Sequence, residues 1–196
     1  MKKICVFCGS SMGFDAIYRD AASRLGKVLL DNHCELLYGG GNVGLMNVIA
    51  DTMIQGGGVV IGVMPKHLMK MEVGHEGISQ MIQTDTMAER KIILEEQSDA
   101  FIAMPGGIGT LDELAEVAVL AQLRIFDKPL ALYNIKGYYD GLIQFLRHGV
   151  KEGFIREEHL NNIIVSDDPH EIMNRLNAFK PVSVGKWIDD IKEESK

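Results

Sequence analysis

Three glycine-rich turns carry the residue types that could hold a phosphate: Gly9-Ser10-Ser11, Gly39-Gly40-Gly41-Asn42-Val43-Gly44 and Pro105-Gly106-Gly107-Ile108-Gly109-Thr110. Each follows a short apolar run and precedes a stretch of helical periodicity, so each stands where a strand hands over to a helix. Glycine lets a backbone approach an anion closely. The unpaired N–H groups of a helix start, together with the helix dipole, favour negative charge there. Strand-to-helix turns also use glycine for steric reasons alone, so one such turn would decide nothing. Three in one chain point to an anionic, nucleotide-like ligand. The candidate contacts are Ser10 in the first turn, Gly40, Gly41 and Gly44 in the second, and Gly106, Gly107, Ile108, Gly109 and Thr110 in the third.

The third turn admits two readings. Thr110 stands three residues before Glu113, and Thr-x-x-Glu is the pattern of a capping box, in which the carboxylate closes its own helix end. The other reading puts the same carboxylate in the first helical turn, within reach of a sugar whose phosphate sits on Gly106–Gly109. Cleavage of an N-glycosidic bond builds positive charge on the sugar, and a fixed anion beside it stabilises that charge. Arg90-Lys91 supplies a complementary cation pair. Its plain alternative is a solvated helix surface with Lys91 and Glu95 paired at i,i+4.

Other motifs carry less. Gly39, Gly41 and Gly44 satisfy G-x-G-x-x-G, but the next strand ends Val63-Met64-Pro65-Lys66 without the carboxylate that would hold an NAD ribose. Lys66 leaves an NADP-dependent oxidoreductase as a weaker alternative. Gly9-Ser10-Ser11-Met12-Gly13 is formally G-x-S-x-G. It follows the first strand, however, and none of His148, His159 and His170 stands out as a partner base. Cys5 and Cys8 form C-x-x-C without a second pair, so core cysteines are expected in place of a zinc site.

The elements that would position these residues follow a regular order. Apolar runs at Ile4–Cys8, Glu35–Tyr38, Val59–Met64, Ala100–Met104, Leu130–Tyr133 and Ile163–Val165 read as strands. Helical spacing is expected over Asp15–Leu30, Leu45–Ile54, Met87–Gln97, Thr110–Leu123, Tyr139–Lys151 and Pro169–Phe179. Uniformly apolar strands alternating with helices imply an α/β fold: a doubly wound, Rossmann-like parallel sheet with helices on both faces. Pro65–Thr86 has weak periodicity and reads as a lid or active-site loop. One domain is expected over residues 1–180, with a charged tail over 181–196 that contains Trp187, Ile188 and Ile191.

The chain has 196 residues, 46% of them apolar, which is enough for a substantial core and excludes intrinsic disorder. With 20 Lys+Arg against 27 Asp+Glu the net charge is −7, the wrong sign for a nucleic-acid binder. Three cysteines suit a reducing compartment, and no apolar run reaches membrane-span length, so a cytoplasmic protein without membrane contact is expected.

Several segments together resemble one family. Cys5-Val6-Phe7-Cys8-Gly9-Ser10-Ser11, Tyr38-Gly39-Gly40-Gly41-Asn42-Val43-Gly44-Leu45-Met46, Met87-Ala88-Glu89-Arg90-Lys91 and Pro105-Gly106-Gly107-Ile108-Gly109-Thr110-Leu111-Asp112-Glu113 are similar to the LOG ("lonely guy") family. These are cytokinin-activating nucleoside 5′-monophosphate phosphoribohydrolases, long labelled lysine decarboxylases. The likeness continues through Ala121-Gln122-Leu123, Asp127-Lys128-Pro129, Gly137-Tyr138-Tyr139 and Glu152-Gly153-Phe154.

The resemblance implies hydrolysis of adenine-type nucleoside monophosphates to free base and ribose 5-phosphate, with neither metal nor organic cofactor. It implies a catalytic pair at Arg90 and Glu113, and substrate contacts at Lys91, at Gly106 to Glu113 including Asp112, and at Glu72. It also implies a homodimer. Ala88, Asn47 and Val119-Leu120 depart from the family's usual residues, which touches base preference (prenylated adenine or plain AMP) more than the reaction. The rivals are a nucleotide-binding sensor without chemistry and a pyridoxal-phosphate decarboxylase, for which no lysine has a recognisable Schiff-base context. The run Leu114–Leu123 is apolar nearly all round, so its helix is expected to be covered on more than its sheet-facing side.

Overall fold

A computed structural model describes residues 3–69 and 74–181; Glu72 and residues 182–196 of the tail lie outside the described residues. The strands are β1 (Lys3–Phe7), β2 (Glu35–Tyr38), β3 (Val60–Pro65), β4 (Gln80–Thr84), β5 (Ala100–Ala103), β6 (Leu130–Tyr133) and β7 (Ile163–Ser166). All pairings are parallel, and the order across the sheet is β4-β3-β2-β1-β5-β6-β7. The chain therefore winds outward from β1 in one direction, returns, and winds outward from β5 in the other. Where the direction reverses, between β1 and β5, the connections leave toward opposite faces and open a crevice at the carboxyl ends of the strands.

The helices are α1 (Ala16–Asp31), α2 (Gly44–Gln55), α3 (Lys66–Met69), α4 (Met87–Gln97), α5 (Ile108–Gln122), α6 (Asp140–Lys151), α7 (Glu157–Asn161) and α8 (Pro169–Ala178). Strand residues alternate between two cores. Ile4, Val6 and Cys8 pack with α1, α2 and α8, whereas Cys5 and Phe7 pack with Leu94 of α4 and Leu114 and Val117 of α5. A strand buried on both faces has no polar side to show, which is why these runs are uniformly apolar. All three cysteines are buried and unbridged. Among the described residues no helix is long and apolar enough to cross a membrane.

The expected doubly wound sheet is the observed one. The stretch Pro65–Thr86 differs from the expected loop: it holds α3 and the edge strand β4, which pairs with β3 from Ile61↔Gln80 to Pro65↔Thr84. An edge strand is half solvated, and Gln80 and Gln83 interrupt its apolar residues, so it lacks the pattern of the inner strands.

Helix starts also differ from expectation in one place that matters. The capping box lies on α4, not α5. Thr86 Oγ1 accepts the Glu89 N–H at 3.1 Å, and Glu89 Oε2 accepts the Thr86 N–H at 3.4 Å. Helix α5 begins at Ile108 with Gly107 as its N-cap and no side-chain cap bond. Thr110 is thus already inside the helix, and Glu113 stands one turn too far along to close its end.

Candidate active site

The two central turns are knitted together. The Gly9 N–H donates to Pro105 O at 3.1 Å, and the Leu45 N–H donates to Gly9 O at 3.0 Å. Tyr139 Oη donates to Met104 O at 2.6 Å and Tyr138 Oη to Gly106 O at 2.5 Å, fixing the approach to α5. Beside these turns a cleft opens, walled by Ser10, Gly39, Met64, Arg90, Glu113 and residues Gly107 to Thr110. Across Gly9 and Ser10 a second crevice lies against Met12, Tyr18 and Tyr138.

Arg90 and Glu113 meet in the first cleft. Arg90 Nη1 is 3.1 Å from Glu113 Oε1, and the two side chains are only 12% and 10% exposed. Arg90 comes from the first turn of α4, and its Nε donates to Val63 O at 3.0 Å, at the end of β3. Its other face lies against Gly39, where any Cβ would overlap the guanidinium. The arginine is thereby held on several sides by backbone. Burial pushes the Glu113 carboxyl above its ordinary range, and the Arg90 charge pulls it partly back. Burial, followed by the Glu113 charge, also raises the Cys8 thiol, which lines the cleft.

The start of α5 faces the same cleft with its first N–H groups uncapped by any side chain. A Cβ at Gly107 or Gly109 would meet nothing within 4 Å, whereas one at Gly106 would overlap the Thr110 side chain. Open backbone at a helix start, next to a buried carboxylate–guanidinium pair, can hold an anion such as a phosphate group.

Seven of the expected site residues thus come together: Ser10, Arg90, Gly107, Ile108, Gly109, Thr110 and Glu113. Others have different surroundings. Gly40 and Gly44 adopt positive φ (81° and 55°). A Cβ at Gly40 would press on Met81, one at Gly41 on Met46, and one at Gly44 would overlap the Ser10 backbone. Packing, together with positive φ at Gly40 and Gly44, is reason enough for glycine at these positions. Lys91 is paired with Asp112 at 3.1 Å and Glu116 at 2.6 Å, replacing the expected partner Glu95 and leaving Lys91 and Asp112 out of the cleft wall. Gly39, Met64, Leu68 and Met87 were not among the expected residues but line the cleft. Gly39, within the Gly-Gly-Gly run, and Met87, in the segment Met87-Ala88-Glu89-Arg90-Lys91, carried a signal in the sequence.

The family model described as "Possible lysine decarboxylase" matches residues 46–176. A protein of Oryza sativa subsp. japonica, named probable cytokinin riboside 5′-monophosphate phosphoribohydrolase LOGL2, is 46% identical over 191 residues, covering 95% of this chain and 78% of that one. The Arabidopsis thaliana cytokinin riboside 5′-monophosphate phosphoribohydrolase LOG1 is 44% identical over 180 residues, covering 92% and 84%. The chain belongs to the LOG family.

Solved structures agree on the fold. The X-ray structure of TM1055 superposes with a TM-score of 0.72 at 22% identity, covering 91% of this chain and 100% of that one. A molybdenum cofactor binding protein from Rippkaea orientalis gives 0.69 at 22% identity, covering 91% and 97%.

Proposed function

We propose that this chain hydrolyses the N-glycosidic bond of a cytokinin riboside 5′-monophosphate, releasing the free base and ribose 5-phosphate. The observation that carries this is the buried Arg90–Glu113 pair, set beside the uncapped, open glycine start of α5. In this reading the 5′-phosphate rests on the N–H groups of Gly107 to Thr110, which places the ribose over Glu113. The bond from the anomeric carbon to the base nitrogen breaks, and its electron pair leaves with the base. Glu113 stabilises the oxocarbenium ion and takes a proton from the water that attacks the anomeric carbon. Arg90 orients the nucleotide and donates hydrogen bonds to the departing base, which takes a proton from solvent while Glu113 gives up to solvent the one it took, so that one water is added in all. Burial suits Glu113 to this task, because a carboxylate raised above its ordinary range is a better base toward water. A sensor that only bound phosphate would have no use for a carboxylate beside the ribose.

The experiment is incubation with isopentenyladenosine 5′-monophosphate, AMP and isopentenyladenosine, following free base by chromatography. Release from the prenylated monophosphate but not from its nucleoside is expected. Equal release from both would remove the phosphate anchor. Release from AMP alone would move the preference to plain adenine.

The same reading includes a homodimer. On α5 only the sheet side is buried, and Leu111, Val119 and Leu123 stand in solvent, joined by Ile92 of α4 and by Ile125. Apolar side chains gathered on one outer face are what a second copy would cover. Light scattering at micromolar concentration should give twice the chain mass, and a clean monomer would refute this.

A further inference from the structure

We propose that His75 and Asp51 form a clasp that positions Arg90; the proposal rests on the reading of Arg90 and Glu113 as the reacting pair. His75 is buried at 8% exposure, and both its ring nitrogens are engaged. Nδ1 accepts the Gly77 N–H at 3.2 Å, so the proton of the neutral ring sits on Nε2, which donates to Asp51 Oδ1 at 3.1 Å. The His75 backbone N–H donates to Gly40 O at 3.1 Å, and Gly74 forms an antiparallel bridge with Gly41. The segment 74–77 therefore straps the Gly39–Gly41 turn to α2, the helix that carries Asp51.

The strap matters because of what lies beneath it. Gly39 is the wall against which the Arg90 guanidinium rests, and Gly62 of β3 would overlap Gly40 if it carried a Cβ. The turn is thus wedged between β3 below and the strap above. Arg90 takes its other restraints from Val63 O and Glu113. Releasing the strap frees the Gly39 wall and leaves the fork pivoting about those two contacts. His75 and Asp51 would then touch no reacting atom and act through backbone. The Asp51 side chain is 45% exposed, so the contact adds little stability by itself. It fixes register.

The test compares the parent with His75→Ala, His75→Gln, Asp51→Ala and the double alanine variant. Turnover of isopentenyladenosine 5′-monophosphate should fall about tenfold in each alanine variant, the scale of a small misplacement near the chemistry. KM should stay within about twofold, because the start of α5 is untouched. The double variant should lose no more than either single one. His75→Gln, whose amide can still donate to Asp51, should recover most of the turnover.

A second readout does not need turnover. Solvent exchange of the Arg90 Nε–H, assigned by its disappearance in Arg90→Lys, should accelerate in His75→Ala and Asp51→Ala. Asp51→Ala keeps the test open if His75→Ala fails to fold. Unchanged exchange, or a lower melting temperature with parental kcat, overturns the clasp. Faster exchange in these variants, with a parent protein that itself releases no base, supports the clasp and overturns the reaction.

Discussion

In the turn after β2 every glycine has a neighbour in the place of its missing side chain; in the turn after β5 two of three do not. A Cβ would overlap Arg90 at Gly39 and Ser10 at Gly44, and would press on Met81 at Gly40 and Met46 at Gly41. After β5, Thr110 fills the space at Gly106, but Gly107 and Gly109 look into the cleft with nothing within 4 Å. Neither of these two has the positive φ that demands glycine. The turn after β2 is glycine because the protein packs against it and because φ is positive at Gly40 and Gly44. The turn after β5 is glycine where the protein leaves room, and a ligand that comes close to the backbone supplies the missing reason. Glycine-rich motifs that look alike in sequence can therefore be scaffold or opening.

The largest effect should come from the carboxylate beside the open turn. Glu113→Gln keeps length and hydrogen bonding but removes the charge facing the oxocarbenium ion. Turnover should fall by about two orders of magnitude or more, since one well-placed electrostatic partner is worth roughly 3–4 kcal/mol in the transition state. Ribose 5-phosphate should still bind, because the phosphate contacts are backbone N–H groups. The melting temperature should fall modestly, as Arg90 loses its charged partner in a buried site. Parental turnover in this variant would reduce the open turn to a binding feature and end the proposed mechanism.

Alanine at one glycine in each turn tests the comparison directly. Gly44→Ala sets a Cβ on the Ser10 backbone at positive φ, so it should cost about 2–3 kcal/mol of stability, read by chemical denaturation. Gly109→Ala should do the reverse. In a helix, alanine is favoured over glycine by about 0.8–1 kcal/mol, so the protein should become slightly more stable. Its affinity for ribose 5-phosphate, by calorimetry, should weaken about tenfold, the loss of one charge-assisted hydrogen bond. If Gly109→Ala binds as the parent does, the second turn is no more a cradle than the first.

Much of the frame was legible because both faces of the inner strands are buried. The limits of β2, β6 and α4 are those expected from the sequence. β4 was not legible, since an edge strand with Gln80 and Gln83 carries no continuous apolar run. The site was legible in parts. Arg90 and Glu113 lie on different helices, and no local pattern says that they meet; the family resemblance named them, and the fold joins them. Thr-x-x-Glu occurs at both Thr86 and Thr110, and only the position of the helix start separates the capping carboxylate from the one in the cleft. Lys91 follows Arg90 in sequence but leaves α4 about 100° further round, so it meets Asp112 and Glu116 rather than the cleft.

The smallest effect concerns a second half-buried carboxylate, away from the open turn. Glu113 has Arg90 at 3.1 Å, whereas Glu95 on α4 faces Glu116, which Lys91 already holds at 2.6 Å. Burial first and the Glu116 charge second push the Glu95 carboxyl up to about 7. The folded chain therefore keeps a proton on Glu95 over a range, from the ordinary carboxylate value to about 7, in which the unfolded chain has lost it. Stability from this group is full below that range and declines as pH rises through it. Because Glu95 is only partly buried and solvent screens its charge, the whole effect should stay at about 1 kcal/mol or less. Glu95→Gln holds the neutral form at every pH, so its melting temperature should match the parent near pH 5 and exceed it near pH 8. Turnover should be unchanged, because Glu95 is not among the residues that line the cleft. A variant whose melting temperature follows the parental pH profile would show that Glu95 titrates as an ordinary surface acid, and the contrast between its setting and that of Glu113 would lose its electrostatic half.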